Sequence, residues 1–513
     1  MTVGHVCCAA MVLALAGAAA ANAQPAARVR AIYTNVAGHP TRQVPGLPGA
    51  LFNEGVGTQF DRPFVSPDGS RWVLRARLAP PAGPAENDIV IAGSGVSGAS
   101  GVVVMREGAP TGLLLNEQYG APDTFMGIDD VGRVVFSAAT TAPPAYDRVV
   151  VRWTGSGATL VAREGSTAPG TGGGLYGQPD SAGILADGTA YFRTVISGGP
   201  RNGQAVVYRG GTIVAAAQDP AFEPEGQLLD PSFPWRVLHP GTLRMDASGA
   251  HWVCGGELDS PDPAGDQVLA VDNIVRVQEG SVTPGDMTGR TVGAASVTPM
   301  VISADGRSWA GRSAYVGGDK FVIVSGVIVA VTRERITAHP WRTERYDDTT
   351  YPQTFFVSTV NSAGDWVVGG VTDAPDLSAN AVLVLNSQRV LLREGDPVDM
   401  NGDGLANDGV FIATFNNDDA VLTDAGMLYF TADLRNAAGA VIGQGFLAMR
   451  ICRADWDGSG VVASSDVSLF LQDWVGSLQW GTWLGDFDHD GVVTSADIAA
   501  FLSAWLEGLM SGC

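Results

Sequence analysis

The sequence predicts an all-β protein, a seven-bladed propeller of four-stranded repeats, followed by a small α-helical domain. Three observations predict it. A strand–turn–strand pattern recurs seven times at nearly constant spacing. The last repeat is one strand short, and the chain offers a spare strand at its start. The segment 452–513 is two copies of one loop–helix unit.

The recurring pattern is an apolar strand, a Ser/Asp turn with Gly, and a strand that opens on an aromatic. Its copies include FVSPDGSRW around Gly69, ILADGTAYF around Gly188 and VISADGRSW around Gly306, with others around Gly132, Gly249, Gly364 and Gly426. The intervals between these glycines run from 56 to 63 residues, a period that means stacked units. Each unit continues with a second hairpin, such as RVVVRW, a TGSG turn and ATLVAREG. Short β-branched runs between Gly, Asn, Asp and Ser are strand–turn signals, so each unit has four strands. Four-stranded units repeated radially make a propeller, with a tandem of β-sandwiches as the alternative. The seventh unit supplies only three strands, and RVRAIYTNV near the N-terminus is expected to complete it and close the ring. The aromatics after each turn (Trp72, Phe136, Tyr191, Trp252, Trp309, Trp366, Tyr429) are expected to be packing layers rather than ligand contacts.

The chain ahead of this body resembles an export signal. Residues Met11 to Ala21 are nearly all small or apolar, and Ala21-Asn22-Ala23 fits a cleavage site before Gln24. The domains are therefore 1–23, signal peptide; 24–451, propeller closed by the N-terminal strand; and 452–513, the loop–helix domain. The mature protein is expected outside the cytoplasm, secreted or at the cell surface, with no membrane span. Its formal net charge is -22, from 53 acids and 31 bases. Such a surface repels phosphate backbones, so nucleic acid is not an expected partner.

The C-terminal loops carry the clearest chemistry. Calcium takes six to eight oxygens, and a twelve-residue loop supplies them from positions 1, 3, 5, 7 and 12. In the first loop these are Asp455, Asp457, Ser459, the Val461 carbonyl and Asp466. In the second they are Asp486, Asp488, Asp490, the Val492 carbonyl and Asp497, each offset by 31 residues from its counterpart. Gly460 and Gly491 stand at the sharp turn. Each loop leads into a helix with an apolar stripe, Val467, Phe470, Leu471 and Trp474, then Ile498, Phe501, Leu502 and Trp505. The two stripes are expected to pack on each other. Two calcium sites follow, the second tighter because it has four carboxylates against three. The ends of such a pair meet, so Cys452 and Cys513 are expected to form a disulfide, worth about 4 kcal/mol on a chain-entropy model. Cys254 lies in an apolar strand pattern and is expected to be a buried thiol. A third segment, Asp399, Asn401 and Asp403, begins like a calcium loop but has Val410 at position 12. A polar turn is the expected reading there, and a weaker third calcium site the alternative.

These loops and helices resemble the type I dockerin family over residues 452–513. Asp at position 12 of both loops matches that family, and the closing Gly512-Cys513 is similar to a subgroup on exported bacterial proteins. The resemblance implies attachment to a partner, cohesin-like or of the cell envelope. The chain departs from the family in its helices, which carry no basic residues, and it has Ser464-Ser465 and Ser495-Ala496 at loop positions 10 and 11.

No catalytic set can be picked out. Gly93–Gly98 matches G-x-G-x-x-G, but strand follows it where a helix is needed, so a hairpin loop is the better reading. The SPDGSRW and SADGRSW turns resemble the Asp-box of sialidase-like propellers, where the box is a structural turn. The leading expectation is an exported, non-enzymatic binding protein for a glycan or protein ligand, tethered by its C-terminal module. The alternative is a glycan-active enzyme, of the sialidase-like propeller kind, on the same anchor. A central funnel with convergent acids and arginines favours the enzyme; an apolar or water-filled channel favours binding.

Overall fold

The structure is a computed structural model that describes residues 27–55, 57–80, 87–222, 233–283, 286, 288–293, 300–337, 343–347, 354–481, 484–488 and 492–511. The signal peptide expected at 1–23 lies outside the described residues. Seven antiparallel sheets follow one another along the chain and form the seven blades of a propeller. Blade 2 shows the plan, with strands Tyr119–Ile128, Val134–Thr140, Arg148–Trp153 and Ala158–Arg163 paired in sequence order. Alternating Val and Ile side chains bury both faces of the middle strands. The core therefore lies between blades, as where Val73, Val90 and Met105 of blade 1 pack on Met126, Phe136 and Val149 of blade 2.

Blade 7 is closed by the chain's own start. Val441–Arg450 pairs antiparallel with Val29–Thr34, and Val398–Asp399 adds a short parallel strand outside it. Gln444, fully buried, fastens this joint to the first blade: its Oε1 accepts from the Gln59 and Phe60 amides at 2.7 Å each. A polar side chain placed there stands in for ladder bonds at the seam.

The seven repeated turns lie around one mouth of the ring. All seven turn glycines are left-handed, with φ from 70° at Gly69 to 89° at Gly132 and Gly188. A side chain is strained in that region, which explains the recurrence of Gly. The turns also hook onto their neighbours. The Ala186 amide donates to Ala247 and the Ala247 amide to Ala304, both at 2.9 Å. Further round, the Ser362 amide donates to Asp424 at 2.6 Å. Of the aromatics after the turns, Trp72, Phe136 and Tyr429 are packing elements as expected, at most 1% exposed, while Tyr191 also lines the central channel.

Gly93–Gly98 spans the end of the strand Asp88–Ser94 and the start of the hairpin loop that leads to Val102–Arg106. Cys254 is a free, fully buried thiol, pushed up to about 11 by burial. Among the described residues, no helix is long and apolar enough to cross a membrane.

The C-terminal domain has two helices, α1 (Ser464–Trp480) and α2 (Ser495–Ser511). Phe470 and Phe501 stack at 4.1 Å, and Trp456 and Phe487 close around them. Trp474 donates to the Thr494 carbonyl at 2.7 Å, and its counterpart Trp505 donates to Ala463 at 2.8 Å. Each tryptophan thus holds the other copy's loop. One expectation is corrected here: Leu471 and Leu502, placed in the packed stripes, are each 38% exposed. The stacked rings bring the helices together along a narrow line, and the leucines lie outside it.

Candidate functional site

In both C-terminal loops the acids converge. One oxygen each from Asp455, Asp457 and Asp466 lies within 4.8 Å of the others, and the same holds for Asp486, Asp488 and Asp497. The position-12 acids are held by backbone. Asp466 accepts from the Asp457 amide at 2.9 Å and the Ala463 amide at 2.7 Å. Asp497 accepts from Phe487 and Thr494 at 2.7 Å each. The Asp455 Oδ2 accepts from Gly460 at 3.0 Å, and its Oδ1 is buried with no hydrogen-bond partner. Burial, and then the charges of Asp457 and Asp455, push Asp466 above the usual carboxylate range. Three anionic groups around an unfilled, buried oxygen make a site that could hold a hard cation.

Ser459 is on the loop, its Oγ donating to the Val461 carbonyl at 3.1 Å, and Val461 exposes its side chain. Val492 is likewise exposed. Asp490, Gly491 and Cys513 lie outside the described residues. Cys452 is disulfide-bonded.

The third acidic segment is a structured polar turn. Asp399 accepts from the Gly402 amide at 2.6 Å and the Gly404 amide at 2.9 Å, and Asn401 donates to Asp408 at 2.9 Å. It lies against the closing strand, where the Ala27 amide donates to Gly404 at 2.9 Å.

The first loop is docked on the propeller. Arg28, just before the closing strand, donates to the Gly458 carbonyl at 3.0 Å and faces Asp455 at 3.7 Å. Arg389 of blade 6 donates to the Cys452 carbonyl at 2.8 Å and to that of Asp455. From the module, Arg453 donates to Phe487 at 2.6 Å and faces Asp365 of blade 6 at 3.7 Å.

Sequence reasoning missed a second cluster, in the central channel. The channel is lined from all seven blades, among others by Arg62, Met126, Tyr191, Arg244, Ile302, Thr359 and Leu422. Residues Asn416 to Asp419 bulge out of the inner strand of blade 7, where pairing skips from Phe415 to Ala420 and Asp418 has φ 61°. The bulge puts Asp418 in an ion pair with Arg312 of blade 5. Asp419 accepts from Thr431 at 2.7 Å and is pushed up to about 7, first by burial. Arg62 and Arg244 both lie over the Phe64 ring, at 5.6 and 5.3 Å. The only sequence signal for this set was the polar Asn-Asn-Asp-Asp run inside an apolar strand.

No family model and no curated protein matches the chain. Among solved structures it is similar to the Dos1 propeller, at 9% identity and a TM-score of 0.34, over 78% of this chain and 82% of that one. It is similar to a puromycin-hydrolyzing peptidase of Mycobacterium tuberculosis, at 12% and 0.35, over 78% and 55%. It is also similar to the GH43_1 enzyme from Xanthomonas citri complexed with xylotriose, at 12% and 0.25, over 51% and 84%. Likeness at this level says nothing of function.

Proposed function

We propose that the chain is an exported binding protein, whose propeller takes a glycan or protein ligand and whose dockerin-like C-terminal module attaches it, with calcium, to a partner or the cell envelope. The observation that carries the reading is the pair of matched acid triads, one of them around the orphaned Asp455 Oδ1. Asp455, Asp457, Ser459, Val461 and Asp466 would hold one ion, and Asp486, Asp488, Asp490, Val492 and Asp497 the other. The cation would offset the repulsion among the carboxylates and so hold the two helices in register. A Cys452–Cys513 disulfide would close the module.

An exposed apolar face supports attachment. Leu471, Val475 and Leu478 of α1 and their counterparts Leu502, Leu506 and Leu509 of α2 are between 38% and 55% exposed. Their spacing puts each trio on one side of its helix. Recovery of envelope partners on the immobilised chain, in calcium and in chelator, tests the reading. Partners should be lost in chelator; the same partners recovered without calcium would overturn it.

A second reading, a glycan-active enzyme on the same anchor, is favoured by one observation: acids and arginines do converge in the channel. Against it, Asp418 is engaged by Arg312 and Asp419 by Thr431, while Arg62 and Arg244 keep unfilled donors.

A further inference from the structure

The central channel gathers guanidinium groups whose donors its own acids leave unfilled. Arg62 is 9% exposed, and its Nε and Nη1 are buried without hydrogen-bond partners. The Arg244 Nη2 is buried without one as well, while its Nη1 donates to the Leu243 carbonyl at 2.5 Å. The two guanidinium groups are neighbours over one phenyl ring, and Arg244 also lies 4.5 Å from the centre of Phe125. Like charges brought together out of water repel, and buried N–H groups left unfilled cost free energy. Burial, and then the charge of Arg62, hold Arg244 down to about 9.

The acids nearby do not fill these donors. Asp418 is taken by Arg312, which also donates to the Phe355 carbonyl at 2.7 Å. Asp61 faces Arg75 at 3.4 Å. Asp419 accepts from Thr431 and spends part of its time neutral near neutral pH, which weakens it as a counter-ion. These donors are therefore left without an acceptor, in a cavity reached from the turn-lined mouth, and Arg62 also lines the opening beside the blade 7 bulge.

We propose that Arg62 and Arg244 form an anion site in the channel for a single carboxylate of a small organic ligand, such as the acid group of a uronic acid residue. One carboxylate, with two acceptor oxygens, can take an unfilled donor from each guanidinium group and adds one negative charge beside them. A tetrahedral dianion would bring more charge than the site lacks, with Asp418 and Asp419 close by. Phe64 and Phe125 keep the site apolar around the guanidinium groups, where a charged hydrogen bond counts for more than in water. The proposal rests on the propeller being the ligand-binding part of the chain. It makes no use of the C-terminal module, so its failure and that of the tether are read separately.

The test is calorimetric titration of the full chain, in calcium, with galacturonate, galactose and sulfate. Galacturonate should bind saturably, galactose should not, and sulfate should not displace galacturonate at equal concentration. Arg62→Gln and Arg244→Gln should each weaken galacturonate by about tenfold or more. Circular dichroism and the propeller's melting transition report whether each variant folds. Absence of saturable galacturonate binding to the unaltered chain would overturn the proposal, as would equal binding of galactose. Sulfate binding as tight as galacturonate would overturn the carboxylate assignment. Folded variants with undiminished binding would overturn the site. Should neither variant fold, the contrast between galacturonate and galactose on the unaltered chain decides.

Discussion

The propeller and the C-terminal module are both built by repetition, but they bury opposite things. Between the blades lie sheets of Val, Ile, Leu and aromatic side chains, and buried charges there find partners within the protein, as Glu117 does in Arg163. Among the described residues of the module, the buried apolar cluster is Phe470, Phe487 and Phe501, ringed by half-buried Trp456, Trp474 and Trp505. Against those three rings stand five buried carboxylates, Asp455, Asp466, Asp486 and Asp497 of the loops and Asp473 of α1, which accepts from the Trp456 indole at 2.8 Å. A large apolar interior holds whatever the solution contains. Three rings are a small core to set against the four loop carboxylates, which is why a cation is expected to join them.

The largest expected effect separates the two regions outright. In chelator the helical signal of α1 and α2 should be lost and the segment after Arg450 should become open to protease, while the propeller's melting transition stays in place. Circular dichroism and limited proteolysis check this; a module equally folded and resistant in chelator would break the contrast. Next comes the core itself. Phe470→Ala removes the ring stacked on Phe501 and should cost the module about 3–5 kcal/mol in calcium, leaving the propeller's transition unmoved. Denaturant unfolding followed by tryptophan fluorescence reads both.

The propeller has its own condition-sensitive feature at Asp419. Burial pushes this carboxyl up to about 7 from an ordinary 3.8. Between those values the folded chain keeps a proton that the unfolded chain releases. The stability this neutral group contributes is thus fully present below about pH 4, and it is lost as pH rises towards 7. Asp419→Asn should flatten that slope in the propeller's transition and leave the module's alone. An unchanged slope would place the titration elsewhere.

How much of this was legible depended on whether the deciding interaction is local. The turn glycines repeat because each turn needs φ near 70–90°, a demand met within four residues, so seven blades could be counted from the sequence. The closing strand was legible because a missing strand and a spare one add up. The acid loops were legible because ligand positions lie within twelve residues of one another. Leu471 and Leu502 were misplaced because helical spacing gives a face and not its width. The channel cluster was invisible for a related reason: Arg62, Arg244 and Arg312 come from three blades, and only ring closure brings them beside a bulge in a fourth.

A smaller effect sharpens the comparison inside the module. Asp490 gives the second loop a fourth carboxylate, and calcium titration should resolve a tighter second site. Asp490→Asn should weaken that site by about tenfold, equivalent to ~1.4 kcal/mol, and bring the two near parity. Unequal affinities that persist in the variant would put the difference in the loops' rigidity instead.

The smallest effect concerns the join. Arg28 is half-buried, donates to Gly458 at 3.0 Å and lies 3.7 Å from Asp455, so it ties the closing strand to the first acid loop. Arg28→Gln should lower the module's stability in calcium by about 0.5–1 kcal/mol, since the lost contacts are partly wet. The same change removes a positive charge from beside Asp455 and should tighten calcium at the first loop, because one cation no longer opposes another. Loosened docking together with tighter metal is a combination that simple structural damage does not give. Calorimetry and calcium titration on one sample read both halves. If the propeller's transition drops along with the module's, the two regions melt as one unit, and the proposed contrast between a ring that holds without calcium and a module that needs it fails at the residue that joins them.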